Sequence, residues 1–96
     1  MYETDNIVAF RDLNPQAPVH ILIIPKIHIV SMNDINSENS EIIAEIFSAV
    51  NKIAEQEGIK ESGYRVISNC GDDGCQSVKH LHYHLVGGRK LSETLS

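Results

Sequence analysis

Apolar residues fall into short runs separated by polar, proline- and glycine-bearing stretches, with one long segment of helical periodicity. Residues 7–10 (Ile-Val-Ala-Phe) suit a short strand. Pro15 and Pro18 bar regular pairing in the stretch that follows and mark residues 12–18 as a loop. Val19 to Ile24 is rich in β-branched residues and reads as a strand that is apolar on both faces, interrupted only by His20 and stopped by Pro25. Ile43, Ile46, Phe47, Val50 and Ala54 then recur at three- and four-residue spacing, one buried stripe of a helix expected over about 38–57. Ser37 is its expected N-cap, Glu38 and Glu41 favour the positive end of the helix dipole, and Gly58 is its expected C-cap. Tyr64 to Asn69 reads as a third strand, Gly71-Asp72-Asp73-Gly74 as a turn, and His80 to Val86 as a last strand closed by Gly87-Gly88. The order strand, strand, helix, strand, strand predicts an α+β fold: an antiparallel sheet of four or five strands with one main helix packed on it.

The last strand carries the candidate chemistry. Side chains alternate across a strand, so His80, His82 and His84 share one face while Leu81, Tyr83 and Leu85 share the other. A single imidazole on a polar outer face needs no functional explanation, but three in strict alternation favour one. Zinc is one candidate, since imidazole is a common ligand. At strand rise, however, the Cα atoms of His80 and His84 are roughly 13 Å apart. One tetrahedral ion would take two neighbours of the row and need another ligand, such as His20, His28 or Cys75. Nucleophilic attack on phosphorus by a neutral imidazole, with a neighbour supplying a proton to the leaving group, uses the row more fully. Just before the row, Gly74-Cys75-Gln76-Ser77 offers backbone N–H groups and a hydroxyl suited to a phosphate.

Composition narrows the substrate. Ninety-six residues make one domain, and 42% apolar content supplies one core. Thirteen acids against eight scattered bases, a formal charge of −5, leave no basic face for polymeric nucleic acid, whereas a mononucleotide needs only a few donors. Residues 1–10 do not read as a signal peptide, and no apolar run approaches the roughly 20 residues of a membrane span. A cytoplasmic protein is expected. Cys70 and Cys75 lack Cys-x-x-Cys spacing and read as two free thiols in a loop.

The run Gln76-Ser77-Val78-Lys79-His80-Leu81-His82-Tyr83-His84-Leu85-Val86-Gly87-Gly88-Arg89 resembles the signature of the histidine triad (HIT) family, in particular its Hint branch of purine nucleoside phosphoramidases. A second block, from Ala9-Phe10-Arg11-Asp12 through Pro15-Gln16-Ala17-Pro18-Val19-His20 to Ile24-Pro25-Lys26-Ile27-His28, resembles the family's other hallmark. The resemblance implies a HIT-like fold and roles for individual residues. His82 matches the nucleophile that attacks the α-phosphorus and forms a nucleotidyl-histidine. His84 matches the histidine that contacts phosphate oxygen or the bridging atom. His80 matches a supporting member whose carbonyl orients the nucleophile, and His20 the histidine that supports His80. Ser77 matches the residue that assists the leaving group. Asn69 and the Cys75-Gln76 backbone match phosphate contacts, Asp12 the acid that binds ribose hydroxyls, and Phe10 and Leu13 the walls of the base pocket. From the residues alone, Phe10 and Leu13 read equally as core, Asp12 as a turn residue, His20 as a core histidine and His28 as a structural or surface residue.

Cys75 stands where the family pattern usually has glycine, and Cys70 departs from the usual residue after the asparagine. Residues 1–96 are expected to form a single HIT domain that lacks the family's usual N-terminal segment and Trp-Pro-Pro-Gly-like tail. The resemblance also implies a homodimer in which the helix and the 64–69 strand meet their symmetry mates. The expected activity is hydrolysis of a nucleoside 5′-phosphoramidate, with a purine nucleotide such as AMP released and no metal or cofactor required. The alternatives are a nucleotide-binding module with little catalysis and a metal-binding protein that uses two triad histidines and a thiol.

Overall fold

The computed structural model describes residues 1–95. Its elements are β1 (Tyr2–Glu3), β2 (Ile7–Arg11), β3 (Val19–Pro25), a single 3₁₀ turn (Met32–Asp34), α1 (Ser40–Gln56), β4 (Tyr64–Ile67) and β5 (Tyr83–Gly87). The strands form one antiparallel sheet in the order β1-β2-β3-β5-β4. The α+β expectation holds, with β1 as a short fifth strand that the sequence pattern does not announce.

One face of the sheet, bearing Ile7, Ala9, Ile21, Ile23, Tyr83 and Leu85, packs with Ile43, Ile46, Ala49, Val50, Ile53 and Ala54 of α1 into the hydrophobic core. Arg11 bonds Glu57 at the helix end, and Glu45 accepts from Thr4 and Asn6, which ties the β1–β2 corner to the helix. Gly58 (φ 72°) ends the helix, and the Ile59 N–H closes back on the Ala54 carbonyl at 3.0 Å. That is the expected glycine cap.

Three boundaries and the place of one helix residue differ from expectation. The helix starts at Ser40 with Asn39 as N-cap, not at Glu38 after Ser37. The Asn36 carboxamide oxygen accepts from the N–H groups of Glu38 and Asn39, which holds residues 36–39 in a turn. Phe47 leaves the buried stripe: it is 48% exposed and rests edge-on against Tyr83. β5 starts at Tyr83 rather than His80: two places beyond the last pair in register, opposite Leu81, stands Pro25, which has no N–H to continue the ladder, and the Leu81 N–H donates instead to the Ile29 carbonyl. β4 ends at Ile67 because the Ser68 hydroxyl, not its backbone, donates to the His82 carbonyl.

Candidate active site

The opposite face of the sheet carries no helix. Register places Phe10, Leu22, His84 and Ile67 side by side in one row across β2, β3, β5 and β4. The adjacent row runs through His20, Val86 and Arg65, with Asp12 at its β2 end through an N–H to the His20 carbonyl. His80, in a bend, and His82 precede β5, yet alternating burial persists there: Leu81, Tyr83 and Leu85 are buried, while His80, His82 and His84 are half-buried. The shared imidazole face therefore survives although only His84 lies within the ladder.

Hydrogen bonds to the backbone set the tautomers of His82, His80 and His20, and His20 in turn sets that of His84. His82 Nδ1 lies 2.8 Å from the His80 carbonyl, so Nδ1 carries the proton and Nε2 keeps its lone pair. His80 Nε2 donates to the Pro25 carbonyl at 2.9 Å. The Gln16 N–H donates to His20 Nδ1 at 3.0 Å, which leaves the His20 proton on Nε2. That Nε2 is 2.9 Å from His84 Nδ1 and 3.4 Å from Asp12 Oδ2. His84 Nδ1 therefore accepts, and Nε2–H of His84 is the free donor. Burial, reinforced by the neighbouring His82 and His20 rings, holds the His84 pKa below the ordinary histidine value, with Asp12 opposing. A neutral His84 is what its acceptor role requires.

His20 thus supports His84, not His80 as the resemblance suggested. The reason is register: His20 lies opposite Val86, diagonal to His84 and far along the strand from His80. His80 is met instead by the edge of His28, with ring centroids 5.2 Å apart. The His82 and His84 rings are 5.1 Å apart, as are those of His20 and His84.

The 70–77 loop also differs in detail. Cys75 adopts φ 60°, the conformation glycine favours, so the loop keeps its left-handed residue despite the side chain. Its N–H donates to Asp72, and that of Gln76 to Gly71, so these two amides close the turn and are not held ready for phosphate. The buried Gln76 side chain accepts from Gly71 N–H and donates to the Val30 and Val78 carbonyls, a structural clamp. Asn69 donates to the Gly74 carbonyl, while Ser77 and Cys75 are exposed. Asp12 makes the local turn through Asn14 N–H, Phe10 is 40% exposed beside Leu22, and Leu13 stands fully in solvent.

A cavity of about 570 Å³ opens beside His84 and His20 and reaches Asn69, Ile67, Arg65 and Arg89. A larger one of about 740 Å³ lies by Val19, Gly58 and Tyr64, but no imidazole lines it. Sequence reasoning missed Gln16, Arg65 and Arg89. A backbone N–H has no residue signature, so Gln16 was not legible. Arg65 was: it is the one charged residue in an otherwise apolar or aromatic strand.

Asp12, His20 and His84 offer ligand atoms within 4.8 Å of one another, the only such cluster among the described residues, and neither cysteine belongs to it. A metal on His20 Nε2 would need the ring proton on Nδ1, where the Gln16 N–H already points. Ligating histidines ordinarily donate through their other nitrogen. The cluster therefore fits a proton-carrying chain and does not fit a metal.

The HIT domain family model matches residues 1–91. The chain is 49% identical over 96 residues to the purine nucleoside phosphoramidase of Escherichia coli (strain K12), covering all of this chain and 81% of that protein. It is 46% identical over 94 residues to a 14 kDa zinc-binding protein of Zea mays, covering 96% and 73%. The solved structure of a histidine triad protein from Clostridium difficile shares 50% identity and superposes with a TM-score of 0.94, covering 98% of this chain and 82% of that one. With this agreement in sequence and fold, the chain belongs to the HIT family and is a hydrolase of that family.

Proposed function

We infer that the chain hydrolyses nucleoside 5′-phosphoramidates, preferably of purines, through a covalent nucleotidyl-histidine on His82. One observation carries the reading: the His80 carbonyl accepts the Nδ1–H of His82, so Nε2 keeps its lone pair on the uncovered side of the sheet. In the first step Nε2 bonds to the α-phosphorus and the P–N bond breaks, with Ser77 assisting protonation of the departing amine. Water then attacks phosphorus, the His82–phosphorus bond breaks, and the nucleoside monophosphate leaves. Overall, one water supplies the hydroxyl on phosphorus and the proton on the amine. The Nε2–H of His84 faces the phosphate oxygens, where a fixed donor stabilises developing charge. Asn69 adds a phosphate contact, Asp12 keeps lone pairs for the ribose hydroxyls, and Phe10 and Leu13 wall the base.

The name of the Escherichia coli relative supports the substrate class. The maize relative's name invokes zinc, but the tautomer of His20 argues against a metal here. A homodimer is supported by β4, an edge strand in the sheet order, and by the exposure of Tyr64 within it and of Phe47 on α1. The substrate is a mononucleotide derivative, and the working compartment is the cytoplasm. None of the described helices is long and apolar enough to cross a membrane.

The test is turnover of an adenosine phosphoramidate by the purified protein, with and without EDTA, beside His82→Ala. Activity is expected to survive the chelator and to fall by at least ~10³-fold in the variant. Full activity in His82→Ala would remove the covalent scheme. Loss with EDTA alone would restore the metal reading. Tight AMP binding with parent turnover no faster than the variant's would make the chain a binding module.

A further inference from the structure

We propose that Arg89 is a positioning residue for the triad: it holds Gln16 in place, and Gln16 fixes the proton of His20 and through it that of His84. The proposal rests on the reading of His84 as the phosphate donor and adds the device that keeps its proton on Nε2.

The segment between β2 and β3 has little of its own to hold it. Pro15 and Pro18 offer no N–H, and the internal bonds are short-range: the Asn14 N–H to the Asp12 carboxylate, and the Gln16 carboxamide to the Asn14 carbonyl. Among the described residues, one hydrogen bond reaches residues 13–18 from beyond His20: Arg89 Nη2 donates to the Gln16 carbonyl at 3.1 Å. Arg89 Nη1 donates to the Lys90 carbonyl at 3.1 Å, which folds the side chain back on its own turn. Gly88 makes the approach possible. Its φ of 90° turns the chain against Pro18, where a Cβ at position 88 would stand 3.0 Å from the Pro18 Cβ.

Gln16 is thereby tied at both ends. Its carbonyl accepts from Arg89 and its N–H donates to His20 Nδ1 at 3.0 Å, so the two soft dihedrals between them are fixed. With Nδ1 engaged as an acceptor, a neutral His20 carries its proton on Nε2, 2.9 Å from His84 Nδ1. His84 accepts there and keeps its own proton on Nε2, toward the phosphate. Without the Gln16 N–H, His20 is free to carry its proton on Nδ1. His84 then moves its proton to Nδ1 to meet the bare His20 Nε2, and a lone pair faces the phosphate oxygens. Asp12 Oδ2, 3.4 Å from His20 Nε2, favours the productive form as well, so loss of Arg89 weakens the arrangement without abolishing it.

The test combines nitrogen NMR of the histidine rings, above the ordinary histidine pKa of about 6.5, with turnover of an adenosine phosphoramidate. The parent is expected to show His20 protonated on Nε2 and bare on Nδ1. Arg89→Ala should shift part of that proton to Nδ1. It should lower kcat by roughly 3–10-fold, the range of one neutral hydrogen bond, with KM changed by less than about 2-fold. Gln16→Pro removes the N–H itself, so it should lower kcat at least as far, and Arg89→Ala added to it should cost nothing more. An unchanged His20 proton in Arg89→Ala, or losses that multiply in the double variant, overturns the proposal. If Gln16→Pro does not fold, the ring protons of Arg89→Ala decide alone. If the parent turns over no phosphoramidate, the phosphoramidase reading falls, and the His20 proton in parent and Arg89→Ala still decides the role of Arg89.

Discussion

The two faces of one sheet are built from similar residues and do different work. Beneath α1, Ile7, Ile21, Ile23 and Leu85 are fully buried and closed by the helix stripe. On the other side Phe10, Leu22, Ile24 and Ile67 retain exposure, and the imidazoles of His20 and His84 stand among them. Apolar neighbours on that open face lower the cost of neither polarity nor charge; they raise it, and that is how His84 is kept neutral. The covered face is stabilised by burial, and the open one is organised by hydrogen bonds that fix where protons sit. Backbone groups of Gln16, Pro25 and His80 do most of that fixing.

Adjacent residues of β5 give the sharpest separation of the two roles. Leu85→Ala on the covered face should cost about 2–5 kcal/mol of stability, read from chemical denaturation, with little change in kcat/KM while folded. His84→Ala, one residue away on the open face, should slow turnover by ~10²-fold, with stability changed by less than about 1 kcal/mol. If His84→Ala were as destabilising as Leu85→Ala and left activity intact, the division between the faces would be wrong.

Protonation offers a finer probe. The His84 pKa is depressed in the folded chain, so the unfolded chain takes up this proton first as pH falls. The stability linked to His84 is therefore present above the ordinary histidine pKa of about 6.5 and lost as pH falls towards the lower folded value. Protonating Nδ1 also removes the acceptor for His20, which adds an acid limb to kcat/KM. Asp12 raises the His84 pKa, so Asp12→Asn should move that limb to lower pH. A limb that stays in place or moves upward would show that Asp12 does not act on His84.

The smallest effect belongs to the loop. Cys75 holds φ 60°, a left-handed conformation that costs a side-chain-bearing residue roughly 1–2 kcal/mol. Glycine relieves that strain but loses more entropy on folding, about 0.4–1 kcal/mol. Cys75→Gly should therefore stabilise by between nothing and about 1.6 kcal/mol in thermal or urea unfolding, and turnover should change little.

Most elements and the histidine face were legible in the chain because both are periodic. The helix stripe declares itself by three- and four-residue spacing, and His80, His82 and His84 by strict alternation, which persists even where the ladder stops. What failed in the sequence reading was non-local. Phe47 fits the helix period, yet it is half-exposed and meets the ring of Tyr83 at the margin of the core. The reach of β5 depends on Pro25, more than fifty residues earlier, and the support of His84 by His20 on a register between β3 and β5. Cys75 and Gln76 looked like phosphate donors until their amides were seen closing the loop on itself.

The sequence by itself determined which residues are apolar, how they repeat, and that three imidazoles share one side of an extended segment, since these follow from covalent order and the geometry of helix and strand. Only the tertiary structure decided which face the helix covers, which histidine meets His84 and which tautomer each ring adopts. Those outcomes depend on contacts between residues distant in the chain, and on backbone donors and acceptors that every residue type carries alike.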